Sequence, residues 1–286
     1  MEYIASQKKL KSLLEKHGFH IKKSFGQNFL IDKNILKKIV TTAEITAEDI
    51  VLEIGPGVGS LTQFLSESAK KVSCFEIDYK LEALLAESLA EYTNVEVVFA
   101  DFLKTDLKAW YIQFSGESIK VVANLPYYIT TPILEKLISW YVHEKPNLVS
   151  ATVMMQKEVA ARLMAVPSTK EYGSLSIFTQ LFTEVKLAFI VPKTVFIPAP
   201  NIDSAIVHLK FKENKVFSTF EEAEEFMEFV RLGFCMRRKT LVNNLKQIMT
   251  GEQSIAILQK LKIDERVRAE QLTVDDFKRI YDTFKK

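Results

Sequence analysis

From residue 50 onward, short runs of β-branched and apolar residues alternate with stretches whose apolar positions recur every three or four residues. That alternation predicts a parallel sheet flanked by helices, an α/β fold. Residues 50–54, 71–76, 95–99, 119–123, 148–155, 184–191 and 203–211 read as strands, with helices between most of them. Only a loop around Pro192, Pro198 and Pro200 separates the last two runs, too irregular for a crossover helix, so an antiparallel pair is expected at the end of the sheet. After Lys212 the strand patterns stop, and 217–234, 240–249, 254–261 and 274–284 read as helices. The expected organisation is an α/β domain over 1–212 and a small all-α domain over 213–286. Ahead of the sheet, Leu10, Leu13 and Leu14 before Gly18 predict a short amphipathic helix. Beyond the glycine-containing loop 24–30, Asp32 is expected to cap a second one.

At 286 residues and 48% hydrophobic, the chain can bury a large core. No run approaches the ~20 apolar residues of a membrane span, and the opening residues lack a signal-peptide pattern, so no membrane association and a cytoplasmic location are expected. Cys74 and Cys235 make no metal-ligand spacing; no metal and no disulfide are expected, and Cys74 reads as a small buried strand residue. No G-x-S-x-G occurs and no nucleophile motif lies near His17, His20, His143 or His208, which disfavours a hydrolase.

Charge changes the picture more than composition does. The net +2 conceals nine Lys against three acids in residues 1–38, among them Lys22 and Lys23, while the stretch Arg231, Arg237, Arg238, Lys239, Lys246 contains no acid between its ends. A solvated helix face explains either cluster. A polyanionic partner explains both, because counterion release favours phosphate binding.

The candidate chemistry lies at strand ends. Val51-Leu52-Glu53-Ile54 breaks into Gly55-Pro56-Gly57-Val58-Gly59-Ser60, glycines that let a ligand approach the backbone at a helix start. A dinucleotide fingerprint would need glycine at position 60, so the spacing disfavours NAD. Glu76 ends the second strand about twenty residues on, where a carboxylate accepts from ribose hydroxyls. Asp101 follows the third strand, placed to accept from an adenine amine. Asn124-Leu125-Pro126-Tyr127 follows the fourth, setting an amide, a fixed turn and a stacking ring where α/β sheets bind ligands.

Those motifs, with Ser24-Phe25-Gly26-Gln27-Asn28-Phe29-Leu30, Gln156-Lys157-Glu158-Val159-Ala160, Tyr172-Gly173-Ser174-Leu175-Ser176, the loop Val195 to Ser204 and Arg237-Arg238-Lys239-Thr240-Leu241, give the chain a nearly full-length resemblance to a known family. It resembles the S-adenosylmethionine-dependent ribosomal RNA adenine dimethyltransferases of the small-subunit (16S) type. The resemblance implies a Rossmann-like class I methyltransferase fold with a seven-stranded, mostly parallel sheet, and S-adenosylmethionine contacts at Asn28, Leu30, Gly55, Glu76, Asp101 and Asn124, with Gly57 in the same loop. It implies Phe196 as a second stacking face opposite Tyr127, with Tyr128 at the rim or in the core. It also implies, as substrate, two adjacent adenines of the 3′-terminal hairpin of 16S rRNA in an immature small ribosomal subunit. The basic clusters, with Lys22, Lys23, Arg237, Arg238 and Lys239, are then expected on RNA phosphates, and the protein is expected to be monomeric.

The Asn124 side-chain oxygen and the Leu125 or Pro126 carbonyl are expected to accept the two amine hydrogens of the target base. The 23S rRNA methyltransferases of macrolide resistance share these pockets; Phe25-Gly26-Gln27, the 196–204 loop and Arg237-Arg238-Lys239 favour the small-subunit type. A non-catalytic ribosome assembly or transcription factor is the alternative of another class, disfavoured by the intact Asn124, Pro126 and Tyr127. One departure from the family pattern is Lys262, where a glycine is expected after a helix.

Overall fold

A computed structural model describes residues 3–21, 27–213, 217 and 219–286. Nine strands occur among them: β1 (Phe29–Leu30), β2 (Ile50–Ile54), β3 (Lys71–Glu76), β4 (Val95–Phe99), β5 (Ile119–Asn124), β6 (Leu148–Gln156), β7 (Thr183–Val191), β8 (Phe196–Ile197) and β9 (Ser204–Phe211). Seven of these form one sheet in the order β4-β3-β2-β5-β6-β9-β7. β2, β3, β4, β5 and β6 run parallel, and β9 enters antiparallel to β6. This is a Rossmann-like, doubly wound sheet whose order reverses between β2 and β5, the place where such sheets bind ligands beyond their carboxyl ends. β2 is buried at all five positions, which is why Ile50-Val51-Leu52-Glu53-Ile54 reads as a continuous apolar run broken by one acid.

The seven strands expected from the sequence are all present, and the last two are neighbours at one edge of the sheet. The small β1–β8 sheet was not expected. It pairs Phe29 with Ile197 and Leu30 with Phe196, extended by Ile31 N–H donating to the Val195 carbonyl at 3.0 Å. Two residues per strand carry no readable period, so only the pairing of distant segments reveals it.

Local signals at the amino end behave as their chemistry requires. The helix Gln7–Lys16 buries Leu10, Leu13 and Leu14, and Gly18 follows it with φ +57°. Asp32 caps the helix Lys33–Thr42, accepting from the backbone N–H of Asn34 and Ile35.

The chain divides into two compact units, one comprising 1–160 with 186–211, the other 161–185 with 212–286. One boundary between the units falls at 211/212, and the second unit also takes in 161–185, including the helix Ser174–Phe182. Its core explains this: Phe182 packs on Phe217, and Tyr172 packs on Phe234 while its hydroxyl donates to the Leu272 carbonyl at 2.9 Å. The remaining helices of this unit are Phe220–Gly233, Leu241–Asn244, Gly251–Lys260 and Val274–Phe284. At the third of these endings Lys262 adopts the left-handed φ of +58°, with its N–H on the Gln259 carbonyl and Ile263 N–H on that of Leu258. A lysine thus does the work of the expected glycine, at a cost of about 1 kcal/mol.

Candidate active site

Parallel register brings the strand-end residues to one edge. Ile54 pairs with Phe75, Glu76 with Phe99 and Asn124 with Met154, so the residues that follow or end β2, β3, β4 and β5 surround a single cavity of about 290 Å³. Gly55, Gly57, Glu76, Asp101, Asn124, Leu125, Pro126 and Tyr127 line it, as do Asn28 and Leu30 from the amino-terminal segment. Every expected cofactor residue is therefore at the cavity. Lys22 and Lys23 lie outside the described residues.

Gly55 and Gly57 have φ of +72° and +59°, a region that L side chains rarely adopt. A Cβ on Gly57 would meet the Phe29 ring at 3.0 Å, whereas one on Gly55 would meet nothing within 4 Å. Gly55 is needed for the turn alone, and Gly57 for the turn and for close packing against Phe29. At the following helix start, the Ser60 hydroxyl lines the cavity and is buried without a protein partner.

Glu76 is 5% exposed, and both of its oxygens accept backbone N–H groups: Oε2 from Gly57 at 3.1 Å and Oε1 from Asp78 at 2.9 Å. Burial nevertheless outweighs those bonds and raises its pKa. Asp101 holds its own turn, Oδ1 accepting from Leu103 N–H at 3.0 Å.

Asn124 ends β5 with its amide nitrogen donating to the Asn28 carbonyl at 3.2 Å. A carbonyl only accepts, so this contact fixes which end of the amide is nitrogen and leaves Oδ1 as the acceptor. Leu125 N–H extends the ladder to the Met154 carbonyl at 3.2 Å. The Pro126 carbonyl already accepts from Ile129 N–H at 3.2 Å and Thr130 Oγ1 at 3.3 Å. The Tyr127 hydroxyl shares a 2.8 Å hydrogen bond with Ser204, which anchors the far end of the ring. Tyr128 is 58% exposed at the cavity mouth, a rim residue rather than core.

Phe196 departs from expectation. It is 3% exposed and packs in the core with Leu30, Val191 and Ile206, and it is not among the cavity's lining residues. Pairing of β8 with β1 commits it to the core, and nothing local in Val195-Phe196-Ile197-Pro198 announces that partner.

Sequence reasoning also passed over Glu53, Ile77, Phe102 and Leu103, which line the same cavity. The available signals were an acid inside an apolar strand and the residues directly after each strand-end acid. Glu53 is 1% exposed, accepts from the Cys74 thiol at 3.4 Å, and is pushed up by burial to about 7, with the Glu76 charge adding to the rise. A carboxyl whose folded pKa rises from 4.5 to about 7 contributes stability below 4.5 that is lost as pH climbs through 7. Glu53→Gln should therefore be more stable than the unaltered ligand-free protein at pH 8, by on the order of 3 kcal/mol, with little gain at pH 4.5. Urea midpoints at the two pH values check this, and equal gains at both would refute it.

Among the described residues, Glu53, Glu76 and Asp101 are the ionisable acids lining the cavity, and no Lys, Arg or His joins them. Such a site favours a cationic ligand and disfavours a pyrophosphate. Among the described residues, no group of three His, Cys, Asp or Glu is placed to hold a metal ion, and no helix is long and apolar enough to cross a membrane.

Comparison with known proteins agrees with this geometry. The profile of the ribosomal RNA adenine dimethylase family matches residues 18–286. Ribosomal RNA small subunit methyltransferase A of Bacillus mycoides is 49% identical over 284 residues, covering 97% of this chain and 96% of its own. The protein of the same name from Bacillus pumilus is 47% identical, covering 99% and 98%. Among solved structures, a dimethyladenosine transferase from Plasmodium falciparum superposes with a TM-score of 0.75 at 31% identity, covering 90% of this chain and 97% of that one. The 23S rRNA methyltransferase ErmE gives 0.67 at 27%, covering 91% and 100%.

Proposed function

This chain belongs to the ribosomal RNA adenine dimethylase family, and we propose on that basis that its cavity serves the dimethylation of two adjacent adenines in the 3′-terminal hairpin of 16S rRNA, within an immature small ribosomal subunit. The protein is an S-adenosylmethionine-dependent rRNA adenine methyltransferase. The reading rests above all on one observation: the Asn124 amide is held by the Asn28 carbonyl with its oxygen left to accept, at the cavity that Glu76 and Asp101 also line.

The residues present fit S-adenosylmethionine. Glu76 suits the ribose hydroxyls, since each carboxylate oxygen keeps a lone pair beyond its backbone N–H. The second Asp101 oxygen, 3.7 Å from the exposed Lys104 ammonium, suits the adenine amine, with Ile77 and Phe102 as apolar neighbours of the ring. The orphaned Ser60 hydroxyl and the acidic lining suit a polar, positively charged tail. When bound, the donor supplies an electrophilic methyl group on a sulfonium.

An adenine amine is a poor nucleophile because its lone pair is delocalised into the ring. Asn124 Oδ1 and the Leu125 carbonyl, each accepting one amine hydrogen, favour the more tetrahedral nitrogen that attacks. The Pro126 carbonyl is already engaged by Ile129 and Thr130, so Leu125 is the better second acceptor. Tyr127 gives the extruded base a stacking face, lowering a cost of a few kcal/mol. Orientation alone supplies on the order of 7 kcal/mol in well-aligned reactions, and the amine proton leaves only after the nitrogen has become cationic, so no strong base is required.

Incubating the protein with labelled donor and under-methylated small subunits, followed by nucleoside analysis, tests the assignment; label in 23S rRNA instead would favour the macrolide-resistance reading. The 47–49% identity to small-subunit enzymes against 27% to the 23S enzyme favours the first outcome. A monomer acting in the cytoplasm is the simplest form consistent with this role.

RNA phosphates are assigned to the second unit's basic cluster. Arg238 and Lys239 are exposed, while Arg237 donates to Glu270 at 3.3 Å and to the Tyr172 carbonyl at 3.4 Å. Changing all three to glutamine should lower RNA affinity about tenfold and flatten its salt dependence by two to three phosphates' worth, roughly, without altering cofactor affinity. Unchanged salt slopes would remove the cluster from the interface.

A further inference from the structure

Lys136 lies on the helix Thr130–Glu144, about two and a half turns beyond Tyr127, and its side chain is spent entirely on backbone. The ammonium donates to the carbonyls of Phe102 at 2.8 Å, Leu103 at 3.0 Å and Thr105 at 2.6 Å. An ammonium has three donors, so all three are used. These carbonyls belong to the turn that directly follows Asp101, whose own Oδ1 is held by Leu103 N–H. The ammonium also sits 5.3 Å from the centre of the Phe102 ring, and Phe102 and Leu103 line the cavity. Burial lowers the lysine's pKa, and the Asp101 and Asp106 charges oppose that shift. Such a lysine is not a surface charge offered to RNA. Three carbonyls pointing at one spot would repel one another without a cation between them.

We propose that Lys136 is a positioning residue for cofactor recognition: it clamps the Asp101–Thr105 turn so that Asp101, Phe102 and Leu103 present a preformed seat for the donor's adenine. It ties that seat to the helix that leads out of Asn124-Leu125-Pro126-Tyr127. The inference rests on the assignment of Asp101 to the adenine. Removing the cation loosens the turn, so the loss falls on binding of the adenosine half of the donor and not on the chemical step once both substrates are bound.

The test measures affinity for S-adenosylhomocysteine and for 5′-methylthioadenosine, which retains only the adenosine half, together with kcat and KM. For Lys136→Met, both dissociation constants should rise by the same factor, about tenfold, and KM for the donor should follow, while kcat at saturation and KM for RNA stay within about threefold. A lower unfolding temperature with both affinities within about twofold of the unaltered protein would make Lys136 a structural strut and overturn the inference. Lys136→Gln keeps two donors and provides the same test should the methionine variant not fold; a loss smaller than about tenfold yet shared by both ligands supports the clamp, and unchanged affinities overturn it. Lys120 is the structural comparison, buried at the amino end of β5 and paired with Asp49 at 2.9 Å. Lys120→Met should cost stability and leave both affinities intact, and a loss there equal to that of Lys136→Met would overturn the inference. Asp101→Asn separates the two readings: if it leaves methylthioadenosine binding unchanged, the adenine assignment fails and this inference with it. If Asp101→Asn weakens binding and the Lys136 variants do not, only the clamp fails.

Discussion

Asn124→Ala is expected to slow methyl transfer by roughly 10²–10³-fold at saturating donor and RNA. The amide does two jobs with its two ends. Its nitrogen tethers the Asn28 carbonyl at 3.2 Å, and its oxygen is thereby presented to the cavity as an acceptor. Alanine removes the acceptor that, in the proposed mechanism, draws the target amine out of conjugation, and the neighbouring groups are engaged: the Tyr127 hydroxyl with Ser204, and the Pro126 carbonyl with Thr130 and Ile129. Losing the tether as well should weaken donor binding only a few-fold, because Asn28 supplies a backbone carbonyl and not the main recognition groups. Asn124→Asp separates the two effects, since it keeps an acceptor but cannot donate to Asn28. Single-turnover rates with pre-bound donor are the decisive measurement, and a rate within tenfold of the unaltered enzyme would move the chemistry elsewhere.

Glu76→Gln should weaken donor binding by about 100-fold or more, although it changes one atom. Both carboxylate oxygens accept backbone N–H groups, from Gly57 and Asp78, inside a site where the residue is almost wholly buried. A glutamine satisfies one of the two with its oxygen and turns an NH₂ group towards the other. The buried amide is then left unpaired, at a cost of roughly 1–3 kcal/mol, and the glycine turn must shift or the side chain must rotate. Either movement would also remove the acceptor proposed for the ribose hydroxyls. Calorimetric titration with S-adenosylhomocysteine reads the loss directly. Retained affinity would mean that the ribose is recognised by other groups.

Much of this is legible in the amino-acid sequence. The long strands, the capped helix after Asp32 and the helices of the carboxyl-terminal part were visible because periodicity and turn chemistry act over a few residues. Gly55, Glu76, Asp101 and Asn124 were visible as a set because each ends or follows a strand, and parallel strands deliver their carboxyl ends to one side. Phe196 shows the opposite case. Its place in the core depends on Leu30, more than 160 positions away in the chain, and a ring beside prolines looks the same whether it faces a ligand or a core. Glu53 was readable as an acid in a strand, but its rise to about 7 comes from desolvation by side chains contributed from other elements.

By itself, then, the amino-acid sequence determined the order and kind of the longer elements, the strand-end residues that meet at the cavity and the family to which the chain belongs, since all of these rest on short-range pattern and motif. The tertiary structure alone decided which end of the Asn124 amide is left to accept, that the Pro126 carbonyl beside it is already engaged, that 161–185 joins the helical unit, and that Lys136 closes on the turn after Asp101. Those outcomes depend on hydrogen bonds and burial between residues far apart along the chain, and a donor has no direction until its acceptor is in place.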